Sequence, residues 1–501
     1  MPGLRRQRDG RTRHWRGEAL IHAPDVSALG PGSHGALARS VQSRGQAQPR
    51  QDVAHRRRLR HRTNASGSAC RPVTATPAAA ETSVTVHSPP CPLPLADTAL
   101  PTEQKEVEEL LADAHAARRP VYPIGGGLAL EFGLPPRAPG LGVRLTGLAR
   151  VLDYPARDLT ITVESGITLA ALQQTLAAEG QWLPLEAHQP QAATLGGVLA
   201  VNFSGPRRFG YGTARDYVIG ITAVDGRGNP FRGGGRVVKN VAGYDFCKLL
   251  VGSLGTLGII TQVTLKLRPR PEERALLLCE PADWDQAEKL LEGLVRSAVV
   301  PVSIDLLCGS AWTGAEELAP SSAQALLLGV GLEGSRQEVS WLVEELTSAW
   351  QAAGVPRFRT LDPAASLRAW ELLTGFGCGR RAALVLKLNV RPSRLVSLMA
   401  MLRELAPDCS MAARAGSGIL LVQFEEFQPS DISKLLIGRI RPAAIAAGGA
   451  CVVWAAGPGL EATHQAVFGP DPGDRAMMRA VKSQFDPAGI LNPGRFIYGV
   501  A

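Results

Sequence analysis

The amino-acid sequence predicts an α+β protein of two domains, and three observations support this prediction. Short apolar segments with the two-residue period of strands alternate with amphipathic helices as far as residue 267. The run Arg268-Pro269-Arg270-Pro271 then interrupts this pattern and marks a boundary. Beyond about residue 275, longer helices and further strands indicate a second α/β domain. We expect a first domain over residues 95–272, a second over 273–465 and a final segment over 466–501 in this chain of 501 residues.

Each element is placed by the spacing of its apolar residues. In the first domain we expect helices over 106–117 and 168–179, and strands over 121–124, 159–165, 198–202, 218–224 and 258–267. In the second domain we expect helices over 284–299 and 338–353, and strands over 326–332, 383–389 and 419–424. A last helix over 474–485 leads into a segment that ends near residue 495.

The net charge of +9 lies outside these domains. Residues 1–100 contain 15 arginines and no lysine against six acidic residues, whereas residues 101–501 contain 39 basic and 39 acidic residues. Because nucleic-acid-binding domains have their basic excess on the folded part, that class of function is excluded for the two domains. The sequence has no run of about 18 apolar residues, so we expect no membrane span.

Residues 1–94 are expected to form a disordered, arginine-rich extension. We favour the interpretation that the start codon is wrongly assigned, although no Met lies between residues 1 and 399. A basic tail and a transit peptide are the alternative interpretations.

Eight cysteines are scattered along the chain without a Cys-x-x-Cys pair. They therefore indicate no disulfide framework, zinc site or iron–sulfur cluster. Isolated thiols are typical of a reducing compartment, and we expect a cytoplasmic protein. We expect Cys247 to be a buried small residue rather than a nucleophile.

Four glycine-rich segments predict a site for a large phosphate-bearing ligand. The first, Gly125-Gly126-Gly127, directly follows a predicted strand, and the others lie at residues 189–208, 239–245 and 252–260. Each segment alone is consistent with an ordinary turn, and none is a Gly-x-Gly-x-x-Gly or P-loop motif. Together they supply many backbone N–H donors that no side chain obstructs, which favours an extended dinucleotide.

These segments resemble the FAD-binding domain of the vanillyl-alcohol oxidase / p-cresol methylhydroxylase (PCMH) type, most specifically at residues 238–245. Residues 485–495 are similar to the C-terminal segment of that superfamily. The resemblance covers about residues 95–501. It implies a PCMH-type FAD-binding domain of two subdomains, an α/β cap domain and a C-terminal segment that returns to the flavin domain. Within the superfamily, the chain is most similar to the FAD-binding subunits of bacterial glycolate oxidase complexes.

The resemblance also implies a set of FAD-binding residues. The FAD pyrophosphate would be wrapped by Gly125, Gly126, Gly127 and Leu128. The diphosphate and ribityl region would be lined by Gln189, Pro190, Thr194, Gly196 and Gly197. The isoalloxazine side would receive Asn202, Ser204 and Gly205, and the adenine side would receive backbone contacts from Gly258 and Ile260. Glycine backbone N–H groups can hold the two pyrophosphate charges without a lysine.

Two departures from the superfamily's pattern affect the expected chemistry. Some members attach FAD through a His in or near the glycine loop; this loop continues as Leu128-Ala129, so we expect non-covalent FAD. Related catalytic subunits and D-lactate dehydrogenases have a His-Ala-Gly-Asp-Gly-Asn-Leu-His motif in the second domain. The matching residues 414–421 contain no His, Asp or Asn. We therefore assign no catalytic residue and no metal ligand.

The resemblance implies the FAD-binding subunit of a complex that oxidises glycolate to glyoxylate. This subunit would relay electrons or support assembly beside a homologous FAD-containing catalytic subunit and a separate iron–sulfur subunit. The complex would be cytoplasmic, with peripheral association at the inner face of the membrane. A stand-alone FAD-linked 2-hydroxy-acid dehydrogenase and a structural subunit with a vestigial flavin site are the alternatives.

Overall fold

A computed structural model describes residues 93–134, 136, 138–236, 243–378, 382–457, 463–470 and 473–496. The extension predicted over residues 1–94 lies almost wholly outside the described residues, as does most of segment 239–245. The strands are β1 (Leu95–Ala99), β2 (Val121–Ile124), β3 (Gly140–Arg144), β4 (Val151–Asp153), β5 (Thr160–Glu164), β6 (Gln181–Trp182), β7 (Val218–Val224), β8 (Pro230–Gly234), β9 (Ile259–Lys266), β10 (Arg268–Pro269), β11 (Glu273–Glu280), β12 (Ser303–Cys308), β13 (Leu327–Gly334), β14 (Arg357–Thr360), β15 (Leu384–Asn389), β16 (Ser410–Arg414), β17 (Ile419–Phe424) and β18 (Ala450–Ala456).

Short and medium-length helices connect these strands. They are α1 (Gln104–Ala116), α2 (Leu169–Ala177), α3 (Leu195–Val201), α4 (Arg208–Tyr211), α5 (Ala214–Tyr217), α6 (Phe246–Leu250), α7 (Trp284–Arg296), α8 (Arg336–Ala352), α9 (Pro363–Gly375), α10 (Leu395–Leu405), α11 (Pro429–Asp431), α12 (Arg441–Ala446), α13 (His464–Phe468) and α14 (Arg475–Phe485). A π-helical stretch, Ile432–Ile440, separates α11 from α12. In the described part of the chain, no helix combines the length and apolar character needed to cross a membrane.

A three-stranded parallel sheet of order β1-β3-β2 forms the first part of the first domain. Helix α1 packs against it through Val107 and Leu111, both fully buried. These residues fall on one face because they are four positions apart in a helix. The helix expected over 106–117 is therefore found, beginning two residues earlier than predicted.

A five-stranded antiparallel sheet of order β4-β5-β9-β7-β8 forms the second part. Strand β9 lies at its centre, and Val263 and Leu265 on that strand share a core with Leu172 and Leu176 of α2. Thr168 begins α2 by accepting a hydrogen bond from the backbone N–H of Ala171 at 3.2 Å. The spacing of apolar residues predicted this strand and this helix face, but not the central position of the strand in the sheet.

The strand expected over residues 198–202 is wrong, because this segment is the helix α3. The Thr194 hydroxyl begins the helix by accepting a hydrogen bond from the backbone N–H of Gly197 at 3.3 Å. Asn202 ends it with a φ of +55°, in the left-handed region that Asn tolerates well. A Cβ on Gly196 would lie 2.9 Å from the Cβ of Ser165, so close packing requires the small residue. The apolar run in the sequence indicates that this segment is buried, but it does not distinguish a short helix from a strand.

The second domain, called the cap domain below, is built on an eight-stranded antiparallel sheet of order β14-β11-β13-β12-β16-β17-β15-β18. One face is covered by α7, α8 and α10, which contribute Leu290, Trp350 and Leu398 to the largest core. Helix α9 lies on the other face, where Trp370 and Leu373 are buried in a separate cluster. This second face is the side of the cap domain that meets the first domain.

The C-terminal segment returns to the first domain. The backbone N–H of Val121 on β2 donates to Ile490 at 2.8 Å, and the N–H of Asn492 donates to Val121 at 2.9 Å. Lys482 fastens the preceding helix, because its buried Nζ donates to the Thr256 carbonyl at 2.7 Å and to Asp486 at 2.5 Å. The predicted α+β fold, with a cap domain and a returning C-terminal segment, is confirmed.

Candidate functional site

A large cleft opens among the glycine-rich segments of the first domain. Its empty volume, with the open mouth included, is about 1040 Å³. Three walls enclose it: the loop after β2, the α3 segment, and residues 254–260 together with the C-terminal segment. The cap domain reaches the cleft at Cys378.

The loop after β2 is glycine-rich because its backbone touches another backbone. A Cβ on Gly125 would lie 2.1 Å from Oγ1 of Thr194, and a Cβ on Gly126 would lie 1.8 Å from the Ala192 carbonyl oxygen. Gly127 has a φ of +76°, which other residues rarely adopt. The loop can follow this path only with glycine, and its backbone is left facing the cleft.

The α3 wall presents backbone for a different reason. Gly197 lies in the first turn of α3, and the only described atom within 4 Å of a Cβ built there is Oγ1 of Thr194, at 3.1 Å. The space beside this backbone is therefore open toward the cleft. Gly196 is instead covered by Ser165. Gly196 is therefore needed for close packing, whereas Gly197 leaves its backbone accessible from the cleft.

The third wall joins segments that are far apart in sequence. Gly255 has a φ of +66°, and Nδ2 of Asn492 donates to the Leu254 carbonyl at 2.7 Å. Arg495 follows on the same segment, donates to the Leu130 carbonyl and is 6% exposed. Among the residues that line the cleft, Arg495 has the one permanent charge.

Of the residues that the sequence predicted for the site, nine line this cleft. They are Gly125, Gly126, Gly127, Leu128, Thr194, Gly196, Gly197, Gly258 and Ile260. The structure thus brings together the loop after β2, the first turn of α3 and the start of β9, which span more than 130 positions of the sequence.

Two further predicted residues, Gln189 and Pro190, lie behind the wall. The Gln189 carbonyl accepts the backbone N–H groups of Ala192 and Ala193, both at 2.9 Å, and shapes the turn before Thr194. The Pro190 carbonyl accepts from Ala170 of α2 at 3.0 Å. Both residues position the wall and do not line the cleft.

The predicted residues Asn202, Ser204 and Gly205 also do not line the cleft. Asn202 ends α3, and the Ser204 hydroxyl accepts a hydrogen bond from Arg208 at 2.9 Å. A Cβ on Gly205 would lie 2.3 Å from the Glu186 carboxylate, so this glycine makes room for an ion pair.

The linear pattern missed many lining residues. They are Pro123, Ala129, Leu130, Phe132, Leu145, Ala187, His188, Ala193, Val198, Ala200, Val201, Phe203, Leu254, Gly255, Ile259, Cys378, Asn492 and Arg495. The Asn-Pro-Gly-Arg end of the C-terminal segment is the sequence signal for Asn492 and Arg495, and it resembles the corresponding segment of the superfamily. Isolated apolar residues such as Phe132 gave no signal.

Two cations beside the cleft, Lys387 and Arg208, form no salt bridge with any residue that the structure describes. Nζ of Lys387 lies 4.2 Å from the ring centroid of Trp454, whose ring lies 4.2 Å from that of Phe132 in the cleft wall. Burial and the nearby Arg208 lower the pKa of Lys387 to about 8. Burial also lowers the pKa of Arg208, against the opposing effect of the Asp216 carboxylate, and Nη1 of Arg208 donates to the Ser204 hydroxyl. Within the described residues, no acidic side chain forms a salt bridge with either cation.

A third cation in this region is neutralised. Arg414, at the end of β16, donates to Asp305 at 2.7 Å and to the Leu373 carbonyl at 2.5 Å. Both members of the ion pair are buried. Arg414 begins the segment 414–421, and it occupies the position that matches the first His of the motif in related enzymes.

His188 is the titratable side chain of the wall nearest the cap domain. A Cβ on Gly375, the last residue of α9, would lie 2.8 Å from its Nδ1. Burial lowers the pKa of His188, which favours the neutral imidazole. In the part of the chain that the structure describes, no three His, Cys, Asp or Glu side chains are placed to hold a metal ion.

Comparisons with known proteins agree with this architecture. A family model described as "FAD binding domain" matches residues 96–234, and one described as "FAD linked oxidases, C-terminal domain" matches residues 270–496. The chain is 28% identical over 422 residues to the glycolate oxidase subunit GlcD of Bacillus subtilis, a match that spans 79% of this chain and 87% of that protein. It is 38% identical over 154 residues to the glycolate oxidase subunit GlcE of Escherichia coli, across 29% of this chain and 44% of that protein.

A further relative and a solved structure extend the comparison. The mitochondrial cytochrome D-lactate dehydrogenase of Arabidopsis thaliana is 26% identical over 419 residues, across 79% of this chain and 72% of that protein. The solved structure of an alkyldihydroxyacetonephosphate synthase has a TM-score of 0.57 at 19% identity, with 79% of this chain and 75% of that chain covered. This last likeness concerns the fold alone. The two family models together match well over half of the chain, which belongs to the PCMH-type FAD-linked oxidases and is an FAD-dependent oxidoreductase.

Proposed function

We propose that FAD lies in the cleft without a covalent bond to the protein. The nine predicted residues that line the cleft, six of which are glycines, would hold FAD mainly through their backbone. Arg495, which the sequence did not predict, adds a positive charge to the wall. The open space beside Gly197 and the left-handed conformation of Gly127 suit a ligand that approaches the backbone closely. When bound, FAD accepts the two electrons that a hydroxy acid loses on oxidation.

We further propose that the chain is the FAD-binding subunit of a complex that oxidises glycolate to glyoxylate, and that it relays electrons or supports assembly. The buried Arg414–Asp305 pair supports this role. Oxidation of a 2-hydroxy acid needs a group that accepts the hydroxyl proton. The position where related enzymes have a His holds a guanidinium, which only donates hydrogen bonds and is already paired at 2.7 Å. A homologous FAD-containing subunit would then perform the substrate oxidation.

The iron–sulfur centre of such a complex would belong to a separate polypeptide. The eight cysteines have no cluster spacing. Five of the six described cysteines are buried in the domain cores and form no disulfide, and the sixth, Cys378, is half-buried. The relatives named as glycolate oxidase subunits support a multi-subunit assembly, which we place in the cytoplasm, with peripheral association at the inner face of the membrane.

A second candidate function is favoured by the two unpaired cations. The charge of Arg208 lowers the pKa of Lys387, so an anion that binds beside these two cations would relieve their repulsion. The carboxylate of a small 2-hydroxy acid fits this requirement. The neutral His188 in the cleft wall would then be the available proton acceptor. Under this hypothesis the chain oxidises a 2-hydroxy acid by itself.

One preparation separates these functions. The purified chain is loaded with FAD, and glycolate or D-lactate is added without oxygen while the flavin absorbance is recorded. The relay subunit should keep its oxidised spectrum with either acid and should be bleached only by dithionite or by its reduced partner subunit. Bleaching by an acid alone, lost in Lys387→Met, would replace the relay proposal by the second candidate. A colourless chain that takes up no FAD would instead support the vestigial, structural subunit.

A further inference from the structure

The two domains meet at a buried cluster of charges that the proposed function does not use. Arg207 of the first domain donates from Nη1 to Glu186 at 2.7 Å and from Nε to Glu333 at 2.7 Å. Glu186 belongs to the first domain, whereas Glu333 lies on β13 of the cap domain. Glu333 also accepts a hydrogen bond from the Tyr211 hydroxyl at 2.7 Å and lies 3.3 Å from Nε of Arg274. One guanidinium thus joins a carboxylate from each domain.

The cluster is balanced in charge and almost closed to water. The Arg207 side chain is 9% exposed and that of Glu333 is fully buried. Burial alone would lower the pKa of Arg207, but the two carboxylates outweigh it and raise the pKa above its ordinary value. Burial, reinforced by Glu333, raises the pKa of Tyr211, so its hydroxyl remains a donor. Loss of one carboxylate would leave a buried positive charge without its partner.

The residues of this cluster are direct chain neighbours of the cleft wall. Glu186 immediately precedes Ala187 and His188, both of which line the cleft. Arg207 immediately precedes Arg208, one of the two unpaired cations. On the cap side, the Arg207 guanidinium lies 3.9 Å from the ring centroid of Trp370 on α9. The last residue of that helix touches His188. A shift between the domains at this cluster would therefore move the cleft wall.

We propose that Arg207 and Glu333 form an interdomain clamp that holds the cap domain closed over the FAD cleft. Arg207 is a positioning residue in this scheme, because it acts through the wall residues and through Arg208. The planar guanidinium fork fixes both the distance and the orientation of the two carboxylates. The surrounding apolar contacts of Trp370 alone would allow the two surfaces to slide. The clamp rests on the proposal that FAD occupies the cleft.

The test measures how fast the intact, FAD-loaded chain releases FAD, followed by the rise in FAD fluorescence after dilution. Glu333→Gln should release FAD about tenfold faster, since the cap domain opens more often when the clamp is broken. The matched control is Glu164→Gln. Glu164 has a 2% exposed side chain and pairs with Arg150 at 2.8 Å, but both residues lie in the first domain. This control should change the release rate by less than about twofold.

A second variant keeps the test decisive if Glu333→Gln does not fold. Arg207→Lys retains the charge but can satisfy only one carboxylate well, so its release rate should be intermediate, with faster backbone hydrogen exchange over residues 203–211. The clamp is refuted if both folded variants release FAD at the wild-type rate, or if Glu164→Gln accelerates release as much as Glu333→Gln. A wild-type chain that binds no FAD would overturn the cofactor assignment itself, which is a separate failure.

Discussion

Replacement of Lys387 by Met should stabilise the protein at neutral pH. The pKa of Lys387 falls from an ordinary 10.5 to about 8 in the folded protein. At about 1.4 kcal/mol for each pH unit, this drop corresponds to about 3 kcal/mol of folding free energy lost at pH 7. Because the folded pKa is the lower one, the loss is complete below pH 8 and disappears as the pH rises to 10.5. Met fills the same volume against Trp454 without the charge.

The assay is urea unfolding of the intact chain and of Lys387→Met at pH 7 and at pH 10.5. The variant should be more stable by up to about 3 kcal/mol at pH 7, and the difference should vanish at pH 10.5. Lys482→Met is the matched control. Lys482 is buried like most of Lys387, but its Nζ donates to Asp486 and to two carbonyls, so its loss should destabilise the protein by about 3–5 kcal/mol. A Lys387→Met variant that is less stable than the wild type at pH 7 would refute the reasoning.

Three further predictions concern the cleft and its surroundings. Gly126→Ala should abolish FAD binding, because its Cβ would lie 1.8 Å from the Ala192 carbonyl oxygen; Gly293→Ala, with nothing within 4 Å, should leave the FAD dissociation constant unchanged. Burial raises the pKa of Cys247 to about 11, so iodoacetamide at pH 8 should label it only after unfolding. Labelling is measured by mass spectrometry, and rapid labelling of the native chain would contradict the burial of Cys247. Leu93 packs against Tyr122 and Ile124, so the extension is removed only as far as residue 92. Removal of residues 1–92 should leave the FAD dissociation constant within about twofold of the full chain, since the cleft is lined by residues 123–495. A large loss of affinity would give the extension a role in the site.

The cap domain shows where prediction from sequence stopped. The strands expected at 383–389 and 419–424 were found because each is a clean apolar run of strand length. Strands β12 and β16 were not predicted, although they pair at the centre of the same sheet and bear Asp305 and Arg414. A buried ion pair places charged residues inside otherwise apolar strands, and this obscures the alternation that prediction relies on.

The sequence by itself determined the two-domain α+β organisation and the glycine-rich segments that favour a dinucleotide, because periodicity and local backbone requirements are encoded by neighbouring residues. The choice of FAD came from the resemblance of these segments to a known FAD-binding domain. The tertiary structure alone decided which side chains face one another. Arg208 and Lys387 are 179 positions apart in the sequence, and Arg207 and Glu333 are 126 positions apart. No local sequence pattern links either pair. Their interaction depends on burial between two domains. The low dielectric there strengthens a charge that has a carboxylate partner and makes a charge without one costly. The unpaired cations and the interdomain clamp are therefore properties of the fold.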